Sequence, residues 1–500
     1  MGRGEDRISN LPNEILQSIV CLMPLKDAIR TSTLSKRWIH FWQFNLVSST
    51  SLHFGEDFSC NQSPKQFVAN LDRYLQLHGN RNLDKFGILF SPFENFFPKL
   101  ENWVSTVLAK GVKELDLDLS QGVLNSYREI YMDDRMPFVI PDSLFYCNSL
   151  THLSLSRCNF SEPLNLTNLV GLNSLSLDHV NLNDEMLTNI LEKCVSLENI
   201  SLKRCEFLEV VKFVGDKLKL QKLLMVDCRG VYDMEISAPK LESFLYHGSI
   251  SFSHSFGNVS KVTDAYFCSV GLEDNDEELF GVLSEFSHVK VLTICSFSLI
   301  HVIVEEEYNE DDFPMELRNL LELQLVMDSI SEEHLHCMFT FFHLCPSPFL
   351  EKLFIQFPSN LDQQYDISDL VIAEKNTPDI VFQNLKWIKI TNFDGSPLVL
   401  KLVKFLMEKA TVLESIFLVM NQCDISNNSL SLRIVRGQLS ILPKASKDAQ
   451  IVICGPLDRD CSINPTHNTF YHQEKYRNGT TVHLDYATRG ENIPLDQEFL

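Results

Sequence analysis

Between His334 and Cys345, three imidazoles and two thiols (His334, His336, Cys337, His343 and Cys345) fall within twelve residues. These are the donor types zinc prefers, and a loop folded back on itself would bring them together. The intervening residues point elsewhere. Phe339, Phe341, Phe342 and Leu344 interleave with them, so the run reads as a buried helix whose thiols act as small core side chains. No Cys-x-x-Cys pair occurs, nor do the glycine-rich phosphate loops, His-Glu-x-x-His or Gly-x-Ser-x-Gly. The expectation is a chain with no catalytic residues, no metal and no cofactor.

Two acidic runs, from Glu273 to Glu278 and from Glu305 to Asp312, read as solvated insertion loops. The second lacks the residue order and the glycine of a calcium loop. In 500 residues, 66 acidic against 43 basic side chains leave a formal charge of −23. A nucleic-acid backbone or an anionic membrane wants a basic face, so neither is expected as the main partner. Fourteen irregularly spaced cysteines do not make a disulfide framework. No apolar stretch follows Met1 that would serve as a secretory signal, and Ile294–Val304 is too short and too interrupted to span a bilayer. Reduced thiols and a cytoplasmic or nuclear location are expected.

The elements that would position any site show as a period. The frame L-x-x-L-x-L, with other apolar residues allowed, recurs thirteen times from Leu83/Phe86/Ile88 to Leu413/Ile416/Leu418. Its clearest copies are Leu150/Leu153/Leu155, Leu172/Leu175/Leu177, Leu197/Ile200/Leu202 and Leu220/Leu223/Met225. Spacings there fall inside the 20–29 residues of leucine-rich repeats. Each copy predicts a short parallel strand pointing alternate residues into a core that only stacking can close. Cys158, Cys205 and Cys228 lie three residues past the frame, in the repeat's Asn/Cys slot. Outward positions offer a recognition surface: Arg157, Asp178, His179, Lys203, Arg204, Asp227, Tyr266, Gln324, Phe354 and Trp387. The alternatives are ion pairing of Lys203 and Arg204 with Asp178 and Asp227, and burial of Phe354 and Trp387 under a C-terminal cap.

The first 46 residues differ. Three short helices are expected: one from Pro12 to before Pro24, one from Lys26, and one from Leu34 to Phe44. On the first, Ile15, Leu16, Ile19, Val20, Leu22 and Met23 cover an arc of roughly 160°, wider than a core-facing stripe needs. So short a unit cannot bury all of that alone; a partner protein or the next domain must cover the rest.

Leu11-Pro12-Asn13-Glu14-Ile15-Leu16, Leu22-Met23-Pro24-Leu25-Lys26-Asp27-Ala28 and Leu34-Ser35-Lys36-Arg37-Trp38 with Trp42 resemble the F-box of plant F-box proteins. The resemblance implies docking on a Skp-type adaptor, and through it on cullin and RING subunits of a ubiquitin ligase. Leu11, Pro12, Ile15, Leu16 and Ile19 would face the adaptor, while Leu34 and Trp38 would tie the third helix down. Residues 383–454, with Trp387 to Ile390, Phe393-Asp394-Gly395 and Leu442-Pro443-Lys444-Ala445-Ser446, resemble the FBD module of the same plant proteins. Lys444 stands where that family usually has arginine.

The expected fold class is therefore α/β: a short N-terminal three-helix F-box (1–47), a connector and N-terminal cap (48–82), a leucine-rich-repeat solenoid (83–382) and an FBD-like C-terminal cap (383–454). A polar, mobile tail (455–500) is expected to follow. The expected function is non-catalytic: a substrate receptor of an SCF-type ligase holding an unidentified target protein on its repeats. The alternative is a repeat scaffold that joins no ligase.

Overall fold

The computed structural model describes residues 8, 11–23, 25–59, 62–90, 94–120, 136–161, 168–250, 252–269, 278–303, 315–327, 330–358, 380–420, 429–455, 463–475 and 481–487. Residues 273–277 and the run from Glu305 to Asp312 lie outside them. The chain forms two compact units, residues 1–220 with 228–231, and 221–227 with 232–500. Among the described residues, no helix is long and apolar enough to cross a membrane.

The first unit opens with helices α1 (Asn13–Cys21), α2 (Leu25–Arg30) and α3 (Trp42–Ser48). The expected third helix from Leu34 is not continuous. Two 3-10 turns, Thr31–Thr33 and Trp38–His40, come before α3. The Thr31 and Thr33 hydroxyls donate to the carbonyls of Ala28 and Arg30, at 2.6 and 2.9 Å, the local side-chain bonding that competes with helix continuation.

Helix α4 (Pro64–His78) starts where its sequence says it should. Pro64 takes the first helical position, Ser63 and Gln66 form a reciprocal capping box, and Gly79 at φ +66° ends the helix. Then come α5 (Phe97–Ala109) and α6 (Asp184–Lys193), the latter capped by Asn183 accepting from the Met186 amide at 2.9 Å. Six strands run parallel beside them: β1 (Ser51–Phe54), β2 (Lys85–Leu89), β3 (Glu114–Asp118), β4 (His152–Ser156), β5 (Ser174–Asp178) and β6 (Asn199–Lys203). Their frame residues stay aligned, with Phe86, Leu115, Leu153, Leu175 and Ile200 in one row and Ile88, Leu117, Leu155, Leu177 and Leu202 in the next. Both rows are buried.

The second unit continues the same repeat. The strands that carry its ladder are β7 (Lys222–Val226), β8 (Ser243–Gly248), β9 (Asp264–Ser269), β10 (Val291–Cys295), β11 (Glu322–Val326), β12 (Lys352–Gln356), β13 (Trp387–Phe393), β14 (Ser415–Met420) and β15 (Gln450–Cys454). All are parallel and pair in sequence order. The helices are α7 (Glu278–Glu285), α8 (Ser296–Ile303), α9 (Glu332–Leu344), α10 (Pro397–Lys409) and α11 (Ser429–Ser440). The 383–454 segment supplies β13 to β15 as further parallel strands of the ladder, with one register shift between Thr391 and Phe393 where β13 meets β14.

Beyond 455 the structure departs from a mobile polar tail. Residues 463–468 lie against the strands of this unit, and Thr469–Lys475 pairs antiparallel with Thr481–Ala487. Polar composition hid this, because the segment is held by hydrogen bonds rather than by an apolar period.

Candidate functional site

The N-terminal helices divide their apolar surface. The wide arc of α1 and the two residues after it is divided by face: Leu16 and Val20 are buried, Ile19 and Met23 half-buried, and Ile15 and Leu22 are 47% and 88% exposed. Leu16 belongs with Ala28, Trp38, Phe41, Trp42 and Leu46 to the buried set of this region and takes no part in the exposed surface. Trp42 meets Tyr74 of α4 edge-on at 5.7 Å, which ties the helices to the following domain.

Two polar side chains hold the arrangement. Arg37 donates to the Leu11 carbonyl and the Asn13 Oδ1 at 2.6 and 2.7 Å. Buried Asn45 donates from Nδ2 to the carbonyls of Val20 and Met23, at 2.7 and 2.8 Å. Both carbonyls lie at the end of α1, where regular helical partners run out; the Val20 carbonyl also accepts from the Met23 amide at 3.1 Å. Asn45 carried no sequence signal, since its role exists only once α3 lies beside the end of α1.

The outward surface comprises Pro12, Ile15 and Leu22 with Leu34 (66% exposed), Ile39 and Phe44; Leu11 is half-buried. Leu34 and Trp38, expected to act together as anchors, part company. Trp38 is buried, whereas Leu34 sits where the first 3-10 turn ends and is exposed.

Along the first unit's strands the outward candidates also need correction. Arg157, His179 and Arg204 do not stand on the strand face but one residue beyond it, at φ +58°, +50° and +50°. A left-handed residue costs a non-glycine side chain about 1–2 kcal/mol. Here it turns the chain while keeping it on the ladder: the Arg157 amide donates to the Asp178 carbonyl at 2.8 Å and the His179 amide to the Lys203 carbonyl at 3.0 Å.

Asp178, at the end of β5, takes a two-pronged bond from Arg204 (Nε at 2.9 Å, Nη2 at 2.5 Å) and lies 2.8 Å from His179 Nδ1. Burial pushes its carboxyl up, but the bonds from His179 and Arg204 outweigh that and hold it well below the usual carboxylate range. Lys203 is half-buried at the end of β6.

In the second unit the outward aromatics are covered. Tyr266 and Phe354 are buried although their strand parity points away from the frame residues, and Trp387 is half-buried with the Lys386 ammonium 5.7 Å from its ring centroid. Tyr266 belongs to a buried cluster with Val226, Cys268, Cys295 and Val326. Its ring also meets that of His467 edge-on at 5.7 Å.

The comparisons with known proteins agree with this geometry. An F-box domain profile matches residues 8–45, and the profile described as At1g61320/AtMIF1, LRR domain, matches residues 75–452. The chain belongs to the plant F-box/leucine-rich-repeat family. Its similar relatives include the F-box/FBD/LRR-repeat protein At1g78750 of Arabidopsis thaliana, 26% identical over 90% of this chain and 97% of that one. The FBD-associated F-box protein At5g22730 of the same plant is 23% identical over 90% and 95%. The F-box/FBD/LRR-repeat protein At1g13570, also from that plant, is 31% identical over a shorter stretch, 39% of this chain and 43% of that one.

In this F-box/leucine-rich-repeat protein the thiols serve packing. Cys158, Cys205 and Cys228 are buried, their sulfurs 3.5–3.7 Å from the carbonyls of Ser156, Lys203 and Leu202. Burial pushes the Cys158 thiol up. Helix α9 spreads the His334–Cys345 cluster: Cys337 and Cys345 are buried, His336 and His343 exposed, and His334 Nδ1 lies 2.7 Å from the Ser331 cap. Burial raises the two thiols to about 11 and about 12, so they stay protonated, a poor state for metal ligation. Among the described residues, no three histidine, cysteine or acidic side chains come together as a metal set.

Proposed function

We propose that this chain is the substrate-recognition subunit of an SCF-type cullin–RING ubiquitin ligase, performing no bond chemistry itself. Its N-terminal helices would dock on a Skp-type adaptor, and its repeats would hold a target protein. The contribution is proximity, which raises the effective concentration of target lysines at the charged ubiquitin carrier. The observation carrying this reading is the exposed apolar side chains of Pro12, Ile15, Leu22 and Leu34, on and at the ends of helical turns whose inward residues are already packed. An apolar surface of that kind on a compact unit marks a protein interface.

The test is adaptor pull-down with wild type and with Ile15→Asp/Leu34→Asp, folding being checked by circular dichroism. Wild type is expected to capture the adaptor, and the double variant to lose at least tenfold in affinity. A folded wild type that captures none would leave only a repeat scaffold.

A further inference from the structure

Residues 463–468, Ile-Asn-Pro-Thr-His-Asn, form an extended strap on the outward side of the second unit's strands. His467, buried in a polar setting, has Nδ1 2.7 Å from the Thr293 Oγ1 of β10 and Nε2 3.3 Å from the Asp264 Oδ2 of β9. The Thr466 amide donates to Glu322 Oε1 of β11 at 2.6 Å. Around those contacts the strands are themselves linked. Ser243 donates to Asp264 at 2.5 Å and Thr293 to Gln324 at 3.0 Å, and within β11 Gln324 donates to Glu322 at 2.6 Å.

Lys352 stands 3.6 Å from Glu322, and Lys222 acts on Asp264 through space. At the strap's other end, Lys389 of β13 donates to the Ile463 carbonyl and Asn464 Oδ1 at 3.0 and 3.2 Å, while Ile463 packs against the cluster of Phe417, Val419 and Cys454. Glu322, Gln324 and Thr293 are buried, and a buried carboxylate is retained only where donors meet it.

We propose that this face is the target-binding surface and that the strap is its resident occupant, an autoinhibitory mimic of the target. The inference deepens the receptor reading and rests on it for the purpose of target capture. The chemistry defines what fits. An extended segment is needed, with an apolar residue for the Phe417–Val419 cluster and, four positions later, a histidine or other hydrogen-bond donor for Asp264. The amide just before that donor bonds Glu322. A tethered strap competes at an effective concentration in the millimolar range, so a target must either match it in contacts or find it displaced.

The experiment uses the full chain and a fluorescein-labelled peptide Ile-Asn-Pro-Thr-His-Asn, read by fluorescence anisotropy. The Ile463→Asp/His467→Ala variant is expected to bind the peptide at least tenfold more tightly than wild type, and to lose that gain when alanine replaces the peptide's histidine or isoleucine. Equal binding by both proteins, or none by a variant that melts like wild type, overturns the proposal. Should the double variant fail to fold, a specific protease site placed within 456–462 and cut after folding opens the same face: peptide binding that appears on cutting supports the strap, and binding unchanged by cutting refutes it. Adaptor capture is read in parallel; it stays constant across these variants, so failure here is distinguishable from failure of the ligase reading.

Discussion

The two units use one frame to make two different surfaces. In the first, strands β3 to β6 bury every second residue and leave between them Asp116, Ser154, Ser176 and Ser201, a row of small polar side chains in half-exposed positions. In the second, β11 is buried at all five positions, and β9, β10 and β14 at every position but the first. The corresponding row there is Leu245, Tyr266, Thr293, Gln324, Phe354. A parallel sheet covered on one side alternates, and one covered on both reads as continuous burial. Equal frames therefore do not mean equal function. The serine row has nothing to gain from being covered, whereas the aromatic and buried polar row has to be covered by something.

The sharpest way to break this contrast is to remove matched outward residues. Tyr266→Ala should cost about 3–5 kcal/mol, the toll of emptying a large aromatic site, while Ser176→Ala at the same register should stay within about 0.5 kcal/mol. Denaturant unfolding followed by hydrogen exchange in each unit measures both, and equal costs would erase the distinction.

A smaller effect belongs to Asp178, the first unit's charged end. Its Asn variant should lose about 1–3 kcal/mol, as expected for hydrogen bonds to a charged group. Because the folded carboxyl titrates below its ordinary 3.8, that advantage is present above pH 3.8 and vanishes as pH falls through the folded value. An unchanged difference between the two proteins at pH 7 and pH 2 would sink the assignment.

The smallest concerns His78, buried at the end of α4 with Nε2 3.0 Å from the Ser49 carbonyl. Burial, with Lys110 and Arg81 nearby, lowers it from 6.5. The unfolded chain then takes the proton first, so first-unit stability should fall as pH drops below 6.5. His78→Gln should flatten that slope in thermal melts between pH 7 and pH 5.

Much of the fold was legible because a repeat states its register many times over. All thirteen frames became strands. The recognition candidates were less legible. Strand parity marks which way a residue points, but not whether something lies over it, so Tyr266 read as outward and Phe354 stayed open between recognition and burial. Nor does parity reveal a turn just past the strand, where Arg157, His179 and Arg204 adopt left-handed backbone.

What the amino-acid order determined alone is local and periodic: capping residues, helix faces, the L-x-x-L-x-L ladder and the thiol slots, each set by bonds and burial within a few residues or one repeat. What only tertiary structure decided is the state of the second surface. Which half of the α1 arc is packed depends on α3 arriving beside it, and the cover over Asp264, Thr293 and Glu322 depends on a histidine about 200 residues away in sequence from Asp264. Contacts of that separation have no period, and a short polar segment held by hydrogen bonds leaves none in the sequence to read.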